Sequence, residues 1–90
     1  MAEERPLPPR MVRPGSRYVE GPVTVEIVEV IRTKDFIGRP LFIISYRLRE
    51  GSYVSPVAHW FVYPHEDLRK LIRETVDFYL SVKKSILRRR

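Results

Sequence analysis

The sequence contains no cysteine, no asparagine and no glutamine. Without cysteine, neither a disulfide framework nor a thiolate zinc site can stabilise the fold. A domain of this length buries only about 60 to 65% of the surface that its unfolded chain exposes, so we expect association between chains to add stability. The absence of thermolabile amides, together with a charged fraction of 31%, is typical of proteins from very hot environments.

Long apolar segments are also missing. The apolar stretch PLFIISY at 40–46 is far shorter than the roughly 20 residues that a membrane-spanning helix needs. The first ten residues, MAEERPLPPR, have acids and prolines where a secretory signal has its apolar core. We therefore expect a cytoplasmic protein with no membrane partner.

Residues with catalytic or metal-binding patterns are sparse. The two histidines, His59 and His65, do not form a same-face helical pair, the four glycines stand singly, and no serine lies in a nucleophile elbow. We therefore predict no enzymatic activity, no cofactor and no metal site.

Positive charge is the abundant property. The net charge is +6, and arginine outnumbers lysine thirteen to four. Guanidinium groups contact phosphate in a bidentate manner and also stack on flat rings. Five of the cations, and no acid, fall within residues 78–90. This balance favours a polyanionic partner.

The first 22 residues differ in composition from the rest, because they contain five of the eight prolines. Proline fixes φ and removes a backbone donor, so we predict that residues 1–22 form an extended arm without ladder hydrogen bonds of its own. Two interpretations remain open, a disordered tail and an arm that lies along a phosphate chain.

Residues 23–90 are predicted to form a single domain of the α+β class, a small antiparallel sheet of three to four strands packed against one long C-terminal helix. The strand patterns are VTVEIVEVIRTK, LFIISYRLR and YVSPVAHWFVY, and Pro56 in the last one indicates an edge strand or a bulge. An apolar stripe at helical spacing predicts a helix over 64–88 that begins at Pro64. Since a helix of this length extends beyond a small sheet, we expect its distal half to pack against the same helix of a second chain.

The basic and aromatic residues concentrate on strands and turns, which favours single-stranded nucleic acid over duplex as the ligand. We expect Trp60 together with His59 to meet a base, and Phe61 to pack under the helix. Ion pairing does not readily explain Arg47 and Arg49, which lie two residues apart on one strand face. The predicted phosphate contacts are Arg10, Arg13, Arg32, Arg39, Arg47 and Arg49, and the predicted stacking rings are Phe36, Tyr46, Tyr53 and Trp60.

The order of these elements resembles that of the ThermoDBP-related proteins of hyperthermophilic archaea. The resemblance covers about residues 10–85 and is carried by the Arg/Pro arm, the three strand patterns and EDLRKLIRETVDFYLSVKKSI. It implies sequence-independent binding of single-stranded DNA in a cleft of aromatic and basic residues, by a symmetric homo-oligomer such as a tetramer. Two alternatives remain, an RNA-binding protein and a protein-interaction or assembly module that binds no nucleic acid.

Overall fold

An antiparallel sheet of five strands is followed by one long helix, which confirms the predicted α+β class. The structure is a computed structural model, and it describes residues 5–88. A short 3-10 turn, Pro9–Met11, precedes the sheet. The strands are β1 (Arg17–Glu20), β2 (Val23–Lys34), β3 (Pro40–Glu50), β4 (Tyr53–Val54) and β5 (Ala58–Val62), and the helix is α1 (Leu68–Arg88).

The sheet has the order β1–β2–β3, and both β4 and β5 pair with the remaining edge of β3. β4 and β5 therefore act as one edge strand that is interrupted around Pro56, as its sequence predicts, because proline has no amide to donate. Ser55 bridges the interruption. Its hydroxyl accepts a hydrogen bond from the amide of Leu48 at 2.8 Å, and its own amide donates to the carbonyl of Leu48 at 2.9 Å.

Three tight connections set the strand register. Gly21 and Gly51 each stand at φ +59° in two-residue hairpin loops, a conformation that glycine adopts without steric cost. The longer loop between β2 and β3 is organised by Asp35, whose carboxylate accepts from the amides of Ile37 at 3.0 Å and Arg39 at 2.8 Å.

Strand alternation separates the sheet into a covered face and an open face. α1 packs across the covered face through Leu68, Ile72 and Val76. β3 contributes Phe42, Ile44, Tyr46 and Leu48 to this core, and the residues between them, with Leu41 and Arg49, point to the open face, as the alternating pattern predicts. A bulge at Val28 in β2 keeps both halves of that long strand in register with β3.

The N-terminal segment is more ordered than its proline content predicts. Residues 17–20 form β1, which pairs with β2 through the full register from Arg17 opposite Glu26 to Glu20 opposite Val23. The expectation that residues 1–22 lack ladder hydrogen bonds is therefore wrong for β1. Residues 1–4 of the predicted arm lie outside the described residues.

The helix begins four residues later than predicted, at Leu68 instead of Pro64. Glu66 accounts for the delay, because its amide donates to the carbonyl of Tyr63 at 3.0 Å and its carboxylate accepts from the amide of Tyr63 at 2.6 Å, which closes a turn. Asp67 then caps the helix by accepting from the amide of Arg69 at 3.0 Å.

The distal part of α1 has no cover. From residue 81 to residue 87 every side chain is exposed, including Val82 at 40%, Ile86 at 58% and Leu87 at 56%. The helix therefore extends beyond the sheet, as its predicted length implied.

Candidate nucleic-acid interface

Three arginines from two strands converge on one buried carboxylate on the open face of the sheet. Arg47 Nε donates to Glu26 Oε1 at 2.5 Å, Arg49 Nε lies 3.3 Å from Oε2, and Arg17 contacts Oε2 at 3.2 Å. β-Sheet register explains the meeting, since Glu26 lies directly opposite both Arg17 in β1 and Arg47 in β3. We call these four residues the arginine cluster.

The arginine cluster explains why Arg47 and Arg49 can lie on the same strand face. Their like charges are tolerated on one strand face because Glu26, from the neighbouring strand, contacts both. The hydrogen bond from Arg47, with further attraction from Arg49 and Arg17, lowers the pKa of Glu26, although burial opposes this. Glu26 therefore stays ionised at neutral pH, and the expectation that ion pairing does not explain these arginines is corrected.

The cluster has more donors than its carboxylate can accept. Three guanidinium groups present about fifteen N–H donors, and one carboxylate offers about four lone-pair sites. Two positive charges remain uncompensated within the cluster. The side chains of Arg17, Arg47 and Arg49 are 66%, 37% and 40% exposed, so their guanidinium groups can meet an acceptor from solution, although Arg49 Nε itself is buried.

A row of apolar side chains follows the cluster along the same face. Ile31, Ile43 and Phe61 lie opposite one another across β2, β3 and β5. The exposed fractions are 66% for Phe61 and 43% for Ile31. Ile43 is four residues from Arg47 in β3, so the row begins about 13 Å from the cluster.

His59 lies between the cluster and the apolar row. It is exposed, and its Nδ1 is 3.0 Å from the hydroxyl of the buried Ser45, a contact that holds the imidazole in place. Glu29, also opposite Ser45 on this face, supplies a negative charge. The positive excess is therefore concentrated at the arginine cluster and not spread over the whole face.

Two of the predicted stacking rings are inside the core. Tyr46 and Trp60 are 9% and 7% exposed, and their rings stack on each other with centroids 3.9 Å apart. Trp60 Nε1 also donates to the Thr75 hydroxyl of α1 at 3.1 Å, and burial is the main reason that the pKa of Tyr46 is raised. Neither ring has a free face for a base, and the prediction for these two residues is corrected accordingly.

The assignment of His59, Trp60 and Phe61 to faces is also corrected. Neighbouring residues of a strand point to opposite faces, so His59 and Trp60 cannot meet one ligand together. The exposed partner of His59 is Phe61, and Trp60 packs under the helix with Val62. In the sequence, the polar His59 indicates which face of β5 is open. This indication is more reliable than the expectation that a large indole ring contacts a base.

The β2–β3 hairpin holds two further predicted residues. Phe36 at its tip is 99% exposed. Arg39 is engaged, because its Nε donates to Asp35 at 2.8 Å and its guanidinium lies 4.8 Å from the centroid of the Tyr63 ring. Burial by itself raises the pKa of Asp35, but hydrogen bonds from the Arg39 amide, the Tyr63 hydroxyl and the Arg39 side chain outweigh it and lower the pKa to about 2.

The remaining predicted residues lie elsewhere. Tyr53 is 48% exposed and stacks on Tyr79 of α1, with centroids 6.1 Å apart. Arg13 is exposed and donates to the carbonyl of Arg10 at 2.8 Å. Arg10 and Arg32 together line a cavity at the base of the β2–β3 hairpin, on the covered side of the sheet.

The six predicted arginines therefore do not form one cleft. Register brings together Arg47 and Arg49 on the open face, and a separate cavity brings together Arg10 and Arg32. The site prediction omitted Arg17, Glu26 and Phe61, and it paired His59 with the buried Trp60. Arg17 was missed because the proline-rich segment hid a strand, and Glu26 because its partners are distant in sequence.

Comparison with known proteins gave no family assignment. No protein-family model matches the chain, and neither the curated proteins nor the solved structures yielded a match. Within residues 5–88, no group of three or more histidine and acidic side chains is arranged to hold a metal ion. None of the helices described here has the length and apolar character to span a membrane.

Proposed function

We propose that the protein binds single-stranded DNA without sequence preference on the open face of its sheet. The observation that carries this proposal is the arginine cluster, whose surplus donors lie on the same uncovered face as the exposed ring of Phe61. Guanidinium groups that follow a backbone, combined with a ring that stacks an unpaired base, are the two ingredients of single-strand binding.

The geometry favours a single strand over a duplex. A duplex reader commonly inserts a helix into the major groove, whereas here the covered face and the helix lie on the other side of the sheet from the arginine cluster. A flat strand face with an exposed phenylalanine suits splayed bases. The same face would accept RNA, and no described residue distinguishes the two sugars.

Titration of a fluorescently labelled oligo-dT, followed by anisotropy, tests the proposal directly. Competition with oligo-rU and with duplex of equal length separates the ligands. Each phosphate contact on a single strand steepens the log–log salt dependence by about 0.7, so Arg47→Gln should reduce the slope by about that amount. Lys70→Gln removes the same charge from an exposed position on α1 and should leave the slope unchanged.

An absence of binding at about 50 mM salt, where electrostatic attraction is strong, would contradict the proposal. It would favour the second candidate, a protein-interaction or assembly module. The specific observation behind that alternative is the uncovered end of α1, where Phe78 is 70% exposed and Ile86 58% exposed.

We further propose that this end of α1 pairs with the same segment of a second chain, forming a two-fold dimer. An antiparallel arrangement, with the crossing near Val82, places Phe78 of one chain near Leu87 of the other. Three of the five cations of residues 78–90 follow Leu87 in the sequence, and an antiparallel arrangement separates these C-terminal charges of the two chains. A parallel arrangement would superimpose these charges and is disfavoured for that reason.

A further inference from the structure

The cavity at the base of the β2–β3 hairpin is separate from the open face. It has a volume of about 310 Å³ and is lined by Arg10 and Arg32, with Phe42, Pro40 and Pro64 among the apolar walls. Arg32 points to the covered side of the sheet, because it lies opposite the buried Phe42. A ligand here would not compete for the arginine cluster.

Both arginines lack an acidic partner. No ion pair or hydrogen bond joins the guanidinium of Arg10 or Arg32 to a carboxylate within the described part of the chain. This contrasts with Arg39, Arg47 and Arg49, each of which contacts an aspartate or a glutamate. Two uncompensated charges facing one cavity favour an anion there.

The Arg32 guanidinium and the backbone that carries Arg10 are held in place by different means. The guanidinium carbon of Arg32 lies 5.6 Å from the centroid of the Phe42 ring, and stacking through the flat face leaves the N–H edge free. Arg10 belongs to the 3-10 turn next to the buried Pro9. The segment before that turn is anchored, because the Leu7 amide donates to Asp67 at 2.9 Å and the Leu68 amide to the Leu7 carbonyl at 2.8 Å.

A second cavity, of about 420 Å³, adjoins the first and shares Pro40 and Pro64 with it. Its other walls are Arg39, Tyr63 and the exposed His65. The rings of Tyr63 and His65 stack with centroids 6.2 Å apart and planes inclined by 11°, and Arg39, which is paired with Asp35, lies against the Tyr63 ring. The combined cleft thus has one end with two arginines that lack an acidic partner. The other end is walled by prolines, flat rings and the acid-paired Arg39. This arrangement suits a ligand with a phosphoryl group on one side and a nucleobase on the other.

We propose that this cleft binds a nucleoside phosphate with a terminal phosphoryl group, either a free nucleotide or the phosphorylated end of a single strand. Charge decides between a terminal and an internal phosphate. A phosphomonoester carries about −1.5 to −2 at neutral pH and matches two free guanidinium groups, whereas an internal phosphodiester carries one charge. Only the strand-end form of the proposal depends on the proposed function.

The test measures binding of AMP and of inorganic phosphate to the intact protein by calorimetry. In parallel, anisotropy compares labelled oligo-dT carrying a 5′-phosphate, a 3′-phosphate or no terminal phosphate. Arg10→Gln is the test variant, since Arg10 is exposed and its replacement leaves the core intact. Lys70→Gln is the control of equal charge.

We expect AMP to bind at least about tenfold more tightly than inorganic phosphate, and Arg10→Gln to weaken AMP about tenfold, the loss of one charge-assisted hydrogen bond. Lys70→Gln should have no effect. If a phosphorylated oligonucleotide binds more tightly than its unphosphorylated form, the cleft accepts the terminal phosphate of a strand end. AMP binding without such a difference identifies the free nucleotide.

Any one of three results would overturn the proposal. The first is that AMP does not bind and the phosphorylated and unphosphorylated oligonucleotides bind with equal affinity. The second is that inorganic phosphate binds as tightly as AMP, and the third is that Arg10→Gln and Lys70→Gln lose equal affinity for AMP. If unphosphorylated oligo-dT fails to bind while AMP binds, the proposed function is wrong and the nucleotide site stands. If unphosphorylated oligo-dT binds, terminal phosphates do not change its affinity and AMP does not bind, the proposed function stands and the nucleotide site is wrong.

Discussion

Trp60 and Phe61 are neighbours in β5 whose replacement should have opposite consequences. Trp60 is 7% exposed and packs between the sheet and α1, whereas Phe61 is 66% exposed on the open face. If the open face binds the strand, removing Phe61 should lower affinity with little effect on stability. Changing Trp60 should lower stability and leave affinity unchanged in the folded protein.

The expected magnitudes follow from burial. Full burial of a large aromatic side chain removes about 200 Å² from water, which at about 25 cal/mol per Å² corresponds to about 5 kcal/mol. Trp60→Ala should therefore cost about 4 to 5 kcal/mol of unfolding free energy. Phe61 has only about a third of its surface covered, so Phe61→Ala should cost at most about 1.5 kcal/mol.

Affinity should show the reverse order. Loss of one base-stacking ring costs about 1 to 3 kcal/mol, so Phe61→Ala should raise the Kd for oligo-dT by about 5-fold to 150-fold. Because Trp60→Ala endangers folding, Trp60→Phe is the better comparison. It keeps a ring next to Tyr46, loses the hydrogen bond to Thr75 and should cost about 1 to 2 kcal/mol of stability with no change in Kd.

Denaturant unfolding gives the stabilities, and anisotropy with labelled oligo-dT, well below the melting temperature, gives the affinities. Since the indole is sealed, we also expect Trp60 fluorescence to change little on addition of the strand. An unchanged Kd for Phe61→Ala would refute placement of the strand on the open face. Strong quenching of Trp60 at saturation would show that the ligand reaches the opposite face.

Three further predictions concern charge and assembly. Glu26→Gln removes the central anion of the arginine cluster. Thermal denaturation should show a less stable protein, and anisotropy should show tighter binding of oligo-dT. Weaker binding would exclude the cluster as a phosphate contact. The folded-state pKa of Asp35, about 2, lies below its ordinary value of 3.8, so its contribution to stability is fully present above about pH 4 and is lost as the pH falls toward 2. Denaturant unfolding between pH 6 and pH 2 should show this loss, and Asp35→Asn, less stable at neutral pH, should show a smaller loss; an equal loss would assign the effect to other carboxylates. Ile86→Asp should abolish self-association, measured by sedimentation, whereas Lys70→Gln should leave it intact. Ile86→Asp should cost little monomer stability, because Ile86 is 58% exposed. A dimer that persists in Ile86→Asp would show that the contact between chains lies elsewhere.

The arrangement of elements was predictable because its signals are local. Alternation in β2 and β3, the turn at Asp35 and the interruption at Pro56 depend on residues within a few positions of one another. β1 was missed because prolines on either side of it dominate the composition of residues 1–22. Only the partner strand, β2, reveals that Arg17–Glu20 is part of the sheet.

The candidate site was less predictable, because its members meet only through strand pairing. The two-residue spacing of Arg47 and Arg49 correctly predicts that they lie on one face. It did not place Glu26, 21 residues before Arg47, next to them, since register between two strands is decided by turns and bulges along the whole pair. The choice between Trp60 and Phe61 failed for a similar reason, since both faces of β5 carry a large aromatic ring.

The amino-acid sequence by itself determined the α+β class, the strongly basic character and the long amphipathic helix, because composition and periodicity act over short distances. The tertiary structure alone decided which rings are sealed, which arginines are compensated and which remain free at the hairpin base. Those properties depend on which side of the sheet α1 covers, and this is settled by packing between residues that are far apart in the chain.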